Sequence, residues 1–192
     1  MTQARAPRAD AVRNRKKILD AAREQITLHG PDAGMDEIAA AAGVAVGTLY
    51  RHFPNKTDLV SAVIAEYLRH VAEVAEAARE RAASGSRAMD EITGFLAYVI
   101  EATATNRAVK AAAHTLGADL AVGDAEARAG AALATLIQAG QADGDIHQDV
   151  TVDDIYLLFN TAPTDQPPAT RTRWLALVLT GLTTHTRSTQ AY

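Results

Sequence analysis

The chain has 192 residues, 19 Lys and Arg against 23 Asp and Glu, a net charge of −4 and no cysteine. The absence of cysteine excludes disulfides and thiol redox sensing. No apolar run approaches the ~18–20 residues that cross a bilayer, and no signal-peptide core follows the N-terminus. Because alanine, leucine and charged residues dominate, the composition favours helices, and we expect a soluble cytoplasmic all-α protein.

The charge is distributed unevenly along the chain. Residues 1–60 carry nine Lys and Arg against seven Asp and Glu, whereas residues 61–192 carry ten against sixteen. The first 17 residues hold six cations and a single acid, Asp10. A basic arm on an otherwise acidic body is consistent with DNA bound at one end only. For residues 1–10 a solvated, disordered tail is the alternative interpretation.

The first predicted helix spans about residues 11–28. Ile18, Ala22 and Ile26 recur at a spacing of four residues, which predicts a buried stripe along a helix. The sequence His29-Gly30-Pro31 then ends the helix, since glycine permits the terminal turn and proline cannot continue it.

Residues 34–56 predict two short helices joined by a tight turn. Ile38, Ala39 and Ala42 recur at helical spacing, and Gly43 supplies the left-handed residue that ends a helix. The second short helix is expected to bury Val46, Leu49 and Phe53 and to expose Gly47, Thr48, Tyr50, Arg51 and His52. Two short helices with a donor-rich second member are typical of a helix-turn-helix, which places its second helix in a DNA major groove.

The stretch GTLYRHFPNK resembles the recognition helix of the TetR/AcrR-type transcriptional regulators, which reads G-x-L-Y-x-H-F followed by a polar turn and Lys. The matching residues are Gly47, Leu49, Tyr50, His52, Phe53 and Lys56. The family pattern extends from Arg13 to Ile64, and the rest of the chain resembles the family only in length and helicity. Gly34 departs from the pattern, because many members have Ser or Thr there. Glycine can still cap a helix, but it has no hydroxyl to contact a phosphate.

The resemblance and the residue chemistry together give seven candidate DNA contacts: Val46, Gly47, Thr48, Tyr50, Arg51, His52 and Lys56. The Tyr50 hydroxyl and the Lys56 ammonium suit phosphate oxygens, as do His52 and Thr48. Thr48 could also reach a base. Arg51 is the candidate base reader, since its fork matches the O6 and N7 acceptors of guanine, although a phosphate contact is an alternative. The first two residues lie at the helix N-terminus, where the backbone can approach DNA and sense a thymine methyl. Packing is the alternative role for Tyr50 and His52.

A long helix follows the motif. Asn55 and Asp58 predict an N-cap close to a capping box, and the helix continues to about Ala83, a length of roughly 40 Å. Ser84-Gly85-Ser86 interrupts the helical pattern. Five further helices are predicted near residues 89–106, 108–116, 124–143, 152–160 and 169–184, with Thr151 and Asp154 capping the fourth. The expected architecture is a three-helix DNA-binding head at residues 1–55 and a six-helix ligand-binding and dimerisation body at residues 56–192.

The body is expected to hold an effector cavity, because the resemblance places one among helices 4 to 8. The polar-tipped or aromatic residues of this region are Tyr67, Phe95, Tyr98, His114 and Asn160. Cavities of this composition suit small organic ligands, although each residue taken singly is more often part of the core. The low aromatic content favours an apolar or amphiphilic effector. Helices 8 and 9 are the expected homodimer contact, since two neighbouring apolar helices allow a four-helix interface.

The chain lacks the signatures of a metal site or an enzyme. Its aspartate cluster, Asp143, Asp145, Asp149, Asp153 and Asp154, does not follow the order of a calcium loop and is interpreted as a solvated loop plus a helix cap. HExxH, P-loop, GxSxG and GxGxxG patterns are absent. We therefore expect no cofactor, no metal and no enzymatic activity.

These observations favour a homodimeric repressor that binds a pseudopalindromic operator in double-stranded DNA and is released by a small organic effector. The alternative is a small-molecule binding protein without operator activity, whose head no longer binds DNA.

Overall fold

The computed structural model describes residues 6–118 and 123–184. Within these ranges the chain is all-α, as the composition predicts. Its nine helices are α1 (Ala6–His29), α2 (Met35–Ala41), α3 (Val46–His52), α4 (Lys56–Ala83), α5 (Ala88–Thr105), α6 (Arg107–Thr115), α7 (Gly123–Ala142), α8 (Val152–Thr161) and α9 (Pro168–Leu182). A short 3-10 turn, Gly30–Asp32, follows α1.

The helix ends agree closely with the sequence predictions where a local signal marks them. At the start of α4 the Asp58 N–H donates to Asn55 Oδ1 at 2.8 Å, which confirms the predicted cap. At α8 the Thr151 N–H donates to Asp154 Oδ2 at 2.8 Å, which closes a capping box. The start of α1 was predicted too late, because the helix begins at Ala6. Residues 1–5 of the predicted basic arm lie outside the described residues.

The described residues form two compact units. The first unit combines the chain up to Tyr67 with the segment that begins at Asn106, so it contains α6 as well as α1 to α3. The second unit combines Leu68–Thr105 with the chain from Gly123 onward. The helix α4 contributes to both units, and α6 contacts α1 and the 3-10 turn of the first unit.

Each unit has its own apolar core. In the first unit Ile18, Ile26, Ile38 and Leu49 have no solvent exposure, which confirms the stripes predicted for α1 and α2. The second unit packs α5 against α7 and α9. Its fully or almost fully buried side chains include Ile92, Leu96, Leu133, Leu136, Ile146 and Ile155. Because apolar burial is the dominant stabilising contribution to folding, these two clusters hold the helices that carry the candidate sites.

Long-range ion pairs connect the helices of the second unit. Arg128 on α7 donates two hydrogen bonds to Glu76 on α4, at 2.9 and 2.6 Å. Arg171 on α9 donates to Glu101 on α5 through both Nε and Nη2. Such two-point contacts fix orientation as well as distance, because the planar guanidinium matches the carboxylate.

The aspartate cluster differs from the prediction at one position. Asp145 is buried rather than solvated. Its buried carboxylate is paired, since Arg87 donates to both of its oxygens at 2.7 and 2.6 Å. Asp154 is the helix cap that the sequence indicated. Among the described residues, no group of three or more His, Asp or Glu side chains has the arrangement of a metal site.

The ion pairs of Glu76 and Glu101 predict an acid-sensitive second unit. Hydrogen bonds from Arg128 and Arg171 hold the pKa of these two carboxyls below the ordinary value of 4.5. A depressed folded-state pKa contributes stability above the unfolded-state pKa, and this contribution is lost as the pH falls through the folded value. We expect the melting temperature to decrease as the pH is lowered below about 4.5. In the variants Glu76→Gln and Glu101→Gln the melting temperature should decrease less steeply over the same pH range.

The control for this experiment is Glu24→Gln, because Glu24 is exposed on α1 and has no ion pair with a described residue. Melting curves recorded between about pH 3 and pH 7 compare the three variants with the original chain. Equal acid slopes in all four proteins would contradict a role for these pairs in acid stability.

None of the described helices combines the length and the apolar character that crossing a bilayer requires.

Candidate nucleic-acid interface

The turn between α2 and α3 has the geometry that a helix-turn-helix needs. Gly43 has φ +65°, in the left-handed region that favours glycine. The Val44 N–H donates to Ala39 O at 3.0 Å and the Gly43 N–H donates to Ala40 O at 3.1 Å. This pair of hydrogen bonds is the Schellman pattern that ends a helix. The turn is thus fixed by one glycine and by backbone bonds, and α3 begins three residues later.

The start of α2 has half of a capping box. The Gly34 N–H donates to Glu37 Oε2 at 3.0 Å, but glycine has no side chain for the reciprocal bond. The departure from Ser or Thr at position 34 therefore removes one cap hydrogen bond and leaves the other in place.

The helix α3 buries one side and exposes the other. Leu49 has no solvent exposure and Phe53 is also buried, whereas 44% of Tyr50 is exposed. The exposure of Tyr50 excludes a core role for this side chain in the described structure. Val46 was predicted on the buried side, yet 40% of it is exposed. Val46 is the first residue of α3, and the loop that precedes the helix does not cover its side chain.

The remaining candidates on α3 follow the same division. Arg51 and Gly47 are exposed, and no atom outside the local backbone lies within 4 Å of the position that a Cβ on Gly47 would occupy. Thr48 and His52 are half-buried. The open backbone at Gly47 leaves room for a second molecule to approach the helix N-terminus.

Lys56 lies at the first position of α4 and is half-buried. Its Nζ donates a hydrogen bond to the carbonyl oxygen of Pro31, in the 3-10 turn. A lysine ammonium has three N–H donors, so this bond orients the ammonium while leaving two donors for another partner. This contact was not predictable from local sequence patterns, because Pro31 is 25 residues away.

Arg15 is a further cation at this site that sequence reasoning did not single out. Its guanidinium carbon lies 4.9 Å from the centre of the Phe53 ring, at the end of α3. This cation–π contact connects α1 to the residue that caps the C-terminus of α3. The pairing was not predictable from local spacing, since the two residues lie on different helices.

The cations of the two units differ in how they are paired. Among the described residues, Arg15, Lys17 and Arg51 of the first unit have no ion pair with a carboxylate. In the second unit six of the seven described arginines pair with an Asp or Glu; these six are Arg69, Arg79, Arg81, Arg87, Arg128 and Arg171. The first unit therefore keeps positive charge available to an external anion.

The five predicted effector residues lie in different places. Tyr67 is buried in the first unit, where the Lys110 Nζ lies 5.2 Å from the centre of its ring. His114 is an exposed residue of the same unit. In the second unit Phe95 is buried, with its ring 6.1 Å from that of Phe159, and the half-buried ring of Tyr98 lies 5.7 Å from that of His70.

Asn160, the fifth predicted effector residue, is exposed on α8. The second unit contains two cavities that are lined by residues outside the predicted effector set. An open groove of about 550 Å³ lies between α8 and α9, and a smaller cavity of about 90 Å³ lies between α5 and α9. Neither is lined by any of the five residues.

Two family patterns match the chain. The family described as "Bacterial regulatory proteins, tetR family" matches residues 18–63, which include α2, α3 and the turn between them. The family described as "Transcriptional regulator SbtR-like, C-terminal domain" matches residues 87–184. The two matches together leave out the N-terminus, most of α4 and the last residues.

Curated relatives match only part of the chain. The chain is 44% identical over 78 residues to the HTH-type transcriptional repressor LfrR of Mycolicibacterium smegmatis, a match to 41% of this chain and 39% of that protein. It is likewise 44% identical over 63 residues to the uncharacterized HTH-type transcriptional regulator TtgW of Pseudomonas putida, 32% of this chain and 47% of that protein. The match thus spans less than half the length of these curated relatives.

A solved structure matches over almost the full length. The TetR transcription regulatory protein from Mycobacterium vanbaalenii is 31% identical, with a TM-score of 0.73, covering 92% of this chain and 98% of that chain. The local geometry of α2 and α3, the family pattern over more than half of the chain and this structural match agree. The chain belongs to the TetR family of bacterial regulatory proteins.

Proposed function

We propose that this protein is a homodimeric transcriptional repressor, which binds a pseudopalindromic operator through residues 1–55 and is released by a small organic effector bound to residues 56–192. The observation that carries the DNA-binding part is the exposed side of α3. Tyr50 and Arg51 project from a helix held by a fixed turn, beside α1 cations that no described carboxylate neutralises. Unpaired cations can bind the phosphates of double-stranded DNA while the exposed helix enters its major groove.

The candidate contacts divide into two roles. Thr48, Tyr50, His52 and Lys56 are assigned to phosphate oxygens, which position a protein on the duplex without reading sequence. Arg51 is assigned to a base edge, because a guanidinium can donate two hydrogen bonds to guanine. Val46 and Gly47 are assigned to close approach at the start of α3, where both residues are exposed.

The contact of Lys56 with Pro31 supports its assignment to phosphate. A lysine whose ammonium is already oriented loses less side-chain entropy when it binds than a freely rotating one. The bond to the Pro31 carbonyl therefore prepares the ammonium for a fixed position on the DNA backbone.

Two substitutions at this site should affect DNA binding in different ways. Lys56→Ala should weaken binding to operator and to random DNA by similar factors, and should reduce the slope of log K against log salt by about one unit. Arg51→Ala should relax the preference at one base pair of each half-site, at a cost of ~1–3 kcal/mol. Fluorescence anisotropy at several salt concentrations measures the first effect, and selection from a random DNA library measures the second.

The matched control is Tyr50→Phe, which removes one hydroxyl donor and keeps the shape and exposure of α3. It should weaken binding to operator and random DNA alike, while leaving the selected sequence unchanged. An unchanged sequence preference in the Arg51→Ala variant would contradict the base-reading role. If the original chain shows no salt-dependent DNA binding at all, the rival function of a small-molecule binding protein is favoured instead.

The homodimer is proposed to form through α8 and α9. Each helix exposes a large apolar residue, Leu157 on α8 and Leu177 on α9. The groove between the two helices is lined by further apolar residues, among them Leu158 and Val178. Exposed apolar surface on two neighbouring helices suits a four-helix contact with a second copy. Leu175, in contrast, is buried in the core of the second unit and is unsuited to dimer contact.

The five predicted effector residues are proposed as contacts within their own units, Tyr67 and His114 in the first unit and Phe95, Tyr98 and Asn160 in the second. Phe95 and Tyr98 lie three residues apart on α5, at neighbouring positions of one helix face. The match to a protein described as a repressor, LfrR, supports the direction of regulation.

A further inference from the structure

Three basic side chains form a row along α6 in the first unit. Arg107, Lys110 and His114 are three and four residues apart, which places them on one face of the helix. The other face packs inward, since Val109, Ala112 and Ala113 have no solvent exposure. None of the three basic residues has an ion pair with a described carboxylate. We name these three residues the α6 basic row.

Lys110 is the recessed member of the row. It is half-buried, whereas Arg107 and His114 are exposed. Burial lowers the pKa of its ammonium, because removing a charge from water disfavours the charged form. The Tyr67 ring, whose centre lies 5.2 Å from the Lys110 Nζ, offsets only part of the free-energy cost of removing this ammonium from water. A partly desolvated cation that lacks a carboxylate is in an unfavourable environment, which a bound anion would improve.

We infer that the α6 basic row binds a small organic anion, with the anionic group at the Lys110 ammonium, the Arg107 guanidinium adding positive charge, and the His114 imidazole offering a ring N–H donor. Two predicted effector residues are found here: His114 is a member of the row, and the Tyr67 ring lies beside Lys110. The class of ligand is a small organic molecule with a carboxylate or phosphate group. The phosphates of DNA present the same chemistry, but a recessed ammonium is more accessible to a small anion than to a wide duplex.

The location of the row gives the anion a regulatory consequence. The helix α6 contacts α1 and the 3-10 turn, and this turn holds the Pro31 carbonyl to which Lys56 donates. Negative charge added to this unit reduces its attraction for DNA. Reciprocity then requires that operator DNA weaken anion binding by the same factor. Only this consequence rests on the proposed function, since the anion site itself requires no DNA.

The test uses octanoate as the probe and the full chain without DNA. Isothermal titration calorimetry should give a dissociation constant that rises about tenfold or more in Lys110→Met, which keeps the length and removes the charge. Lys110→Arg, which restores the charge, should bind within about threefold of the original chain. The matched control is Lys16→Met, because Lys16 is an exposed lysine on α1 whose Nζ already donates to Asp20 at 3.0 Å. It should bind octanoate as the original chain does.

Neutral octanol, with the same hydrocarbon chain, should bind about tenfold more weakly than octanoate. The inference is overturned if the original chain binds no octanoate at millimolar concentration, if Lys110→Met binds it unchanged, or if octanol binds equally well.

A separate titration with operator DNA tests whether the anion at the α6 basic row is a DNA phosphate instead of a small molecule. Lys110→Met should leave the salt slope unchanged, and a slope reduced by about one unit would assign the row to DNA phosphate instead. Absence of operator binding would contradict the proposed function and leave the calorimetric result intact.

Discussion

Replacing Leu177 by Glu should convert the proposed dimer into a monomer and abolish operator binding, while the helix content stays nearly the same. Leu177 is half exposed on α9, so the single chain tolerates a charge there. In the proposed four-helix contact the same carboxylate would be desolvated beside apolar groups and without a partner, which is strongly unfavourable. One head alone makes too few phosphate contacts for tight binding, because paired heads are needed to occupy two half-sites.

The matched control is Leu28→Glu, which changes another exposed leucine, on α1 rather than on α8 or α9. It should leave the dimer intact. Sedimentation velocity reports the oligomeric state, and far-ultraviolet circular dichroism reports the helix content. A Leu177→Glu variant that still sediments as a dimer would place the interface elsewhere on the molecule.

Replacing Gly140 by Ala should destabilise the protein, although alanine is the better helix former. Gly140 is buried in α7, and a Cβ there would lie 2.5 Å from Ile146 Cδ1 and 2.9 Å from Ile146 Cγ1. Ile146 is held in place, because its N–H donates to Gly140 O at 3.1 Å and its side chain is buried. Overpacking of this kind costs about 1–3 kcal/mol. For a chain of this size the melting temperature should fall by about 3–10 °C.

Gly94→Ala provides the matched control for this substitution. Gly94 is also a helical glycine, on α5, but nothing lies within 4 Å of the position of its Cβ. This variant should therefore gain stability, by up to about 1 kcal/mol, from helix propensity alone. Melting temperatures of both variants, measured by calorimetry, separate the steric cost from the propensity effect. Equal shifts in the two variants would contradict the steric explanation.

The sequence predicted those parts of the structure that depend on neighbouring residues. The Gly43 turn and the caps at Asn55 and Thr151 are local, because each involves hydrogen bonds between residues at most five positions apart. The alternation of buried and exposed residues on α3 follows from helix geometry, and it placed Leu49 and Tyr50 on opposite sides. The exception was Val46, which helix periodicity assigns to the buried side but which no other element covers.

The parts that the sequence did not predict depend on partners far along the chain. Arg87 and Asp145 are 58 residues apart, so the aspartate was interpreted as solvated rather than buried in an ion pair. Lys56 was identified as a candidate phosphate contact, but the carbonyl that orients it could not be identified. The grouping of α6 with the head was also unforeseen, since the sequence shows only that α6 is amphipathic and not which surface its apolar face covers.

The grouping of α6 with the head has a consequence for the order in which the protein can be assembled. Residues up to Tyr67 leave the ribosome before the segment beginning at Asn106, whose α6 contacts α1 and the 3-10 turn. The first unit therefore cannot complete its contacts until Leu68–Thr105 of the second unit has been translated. Contacts between segments distant in sequence form slowly, because a long loop must close first. Nascent chains consequently pass through an interval in which α3 has been synthesised but the unit that supports it is incomplete.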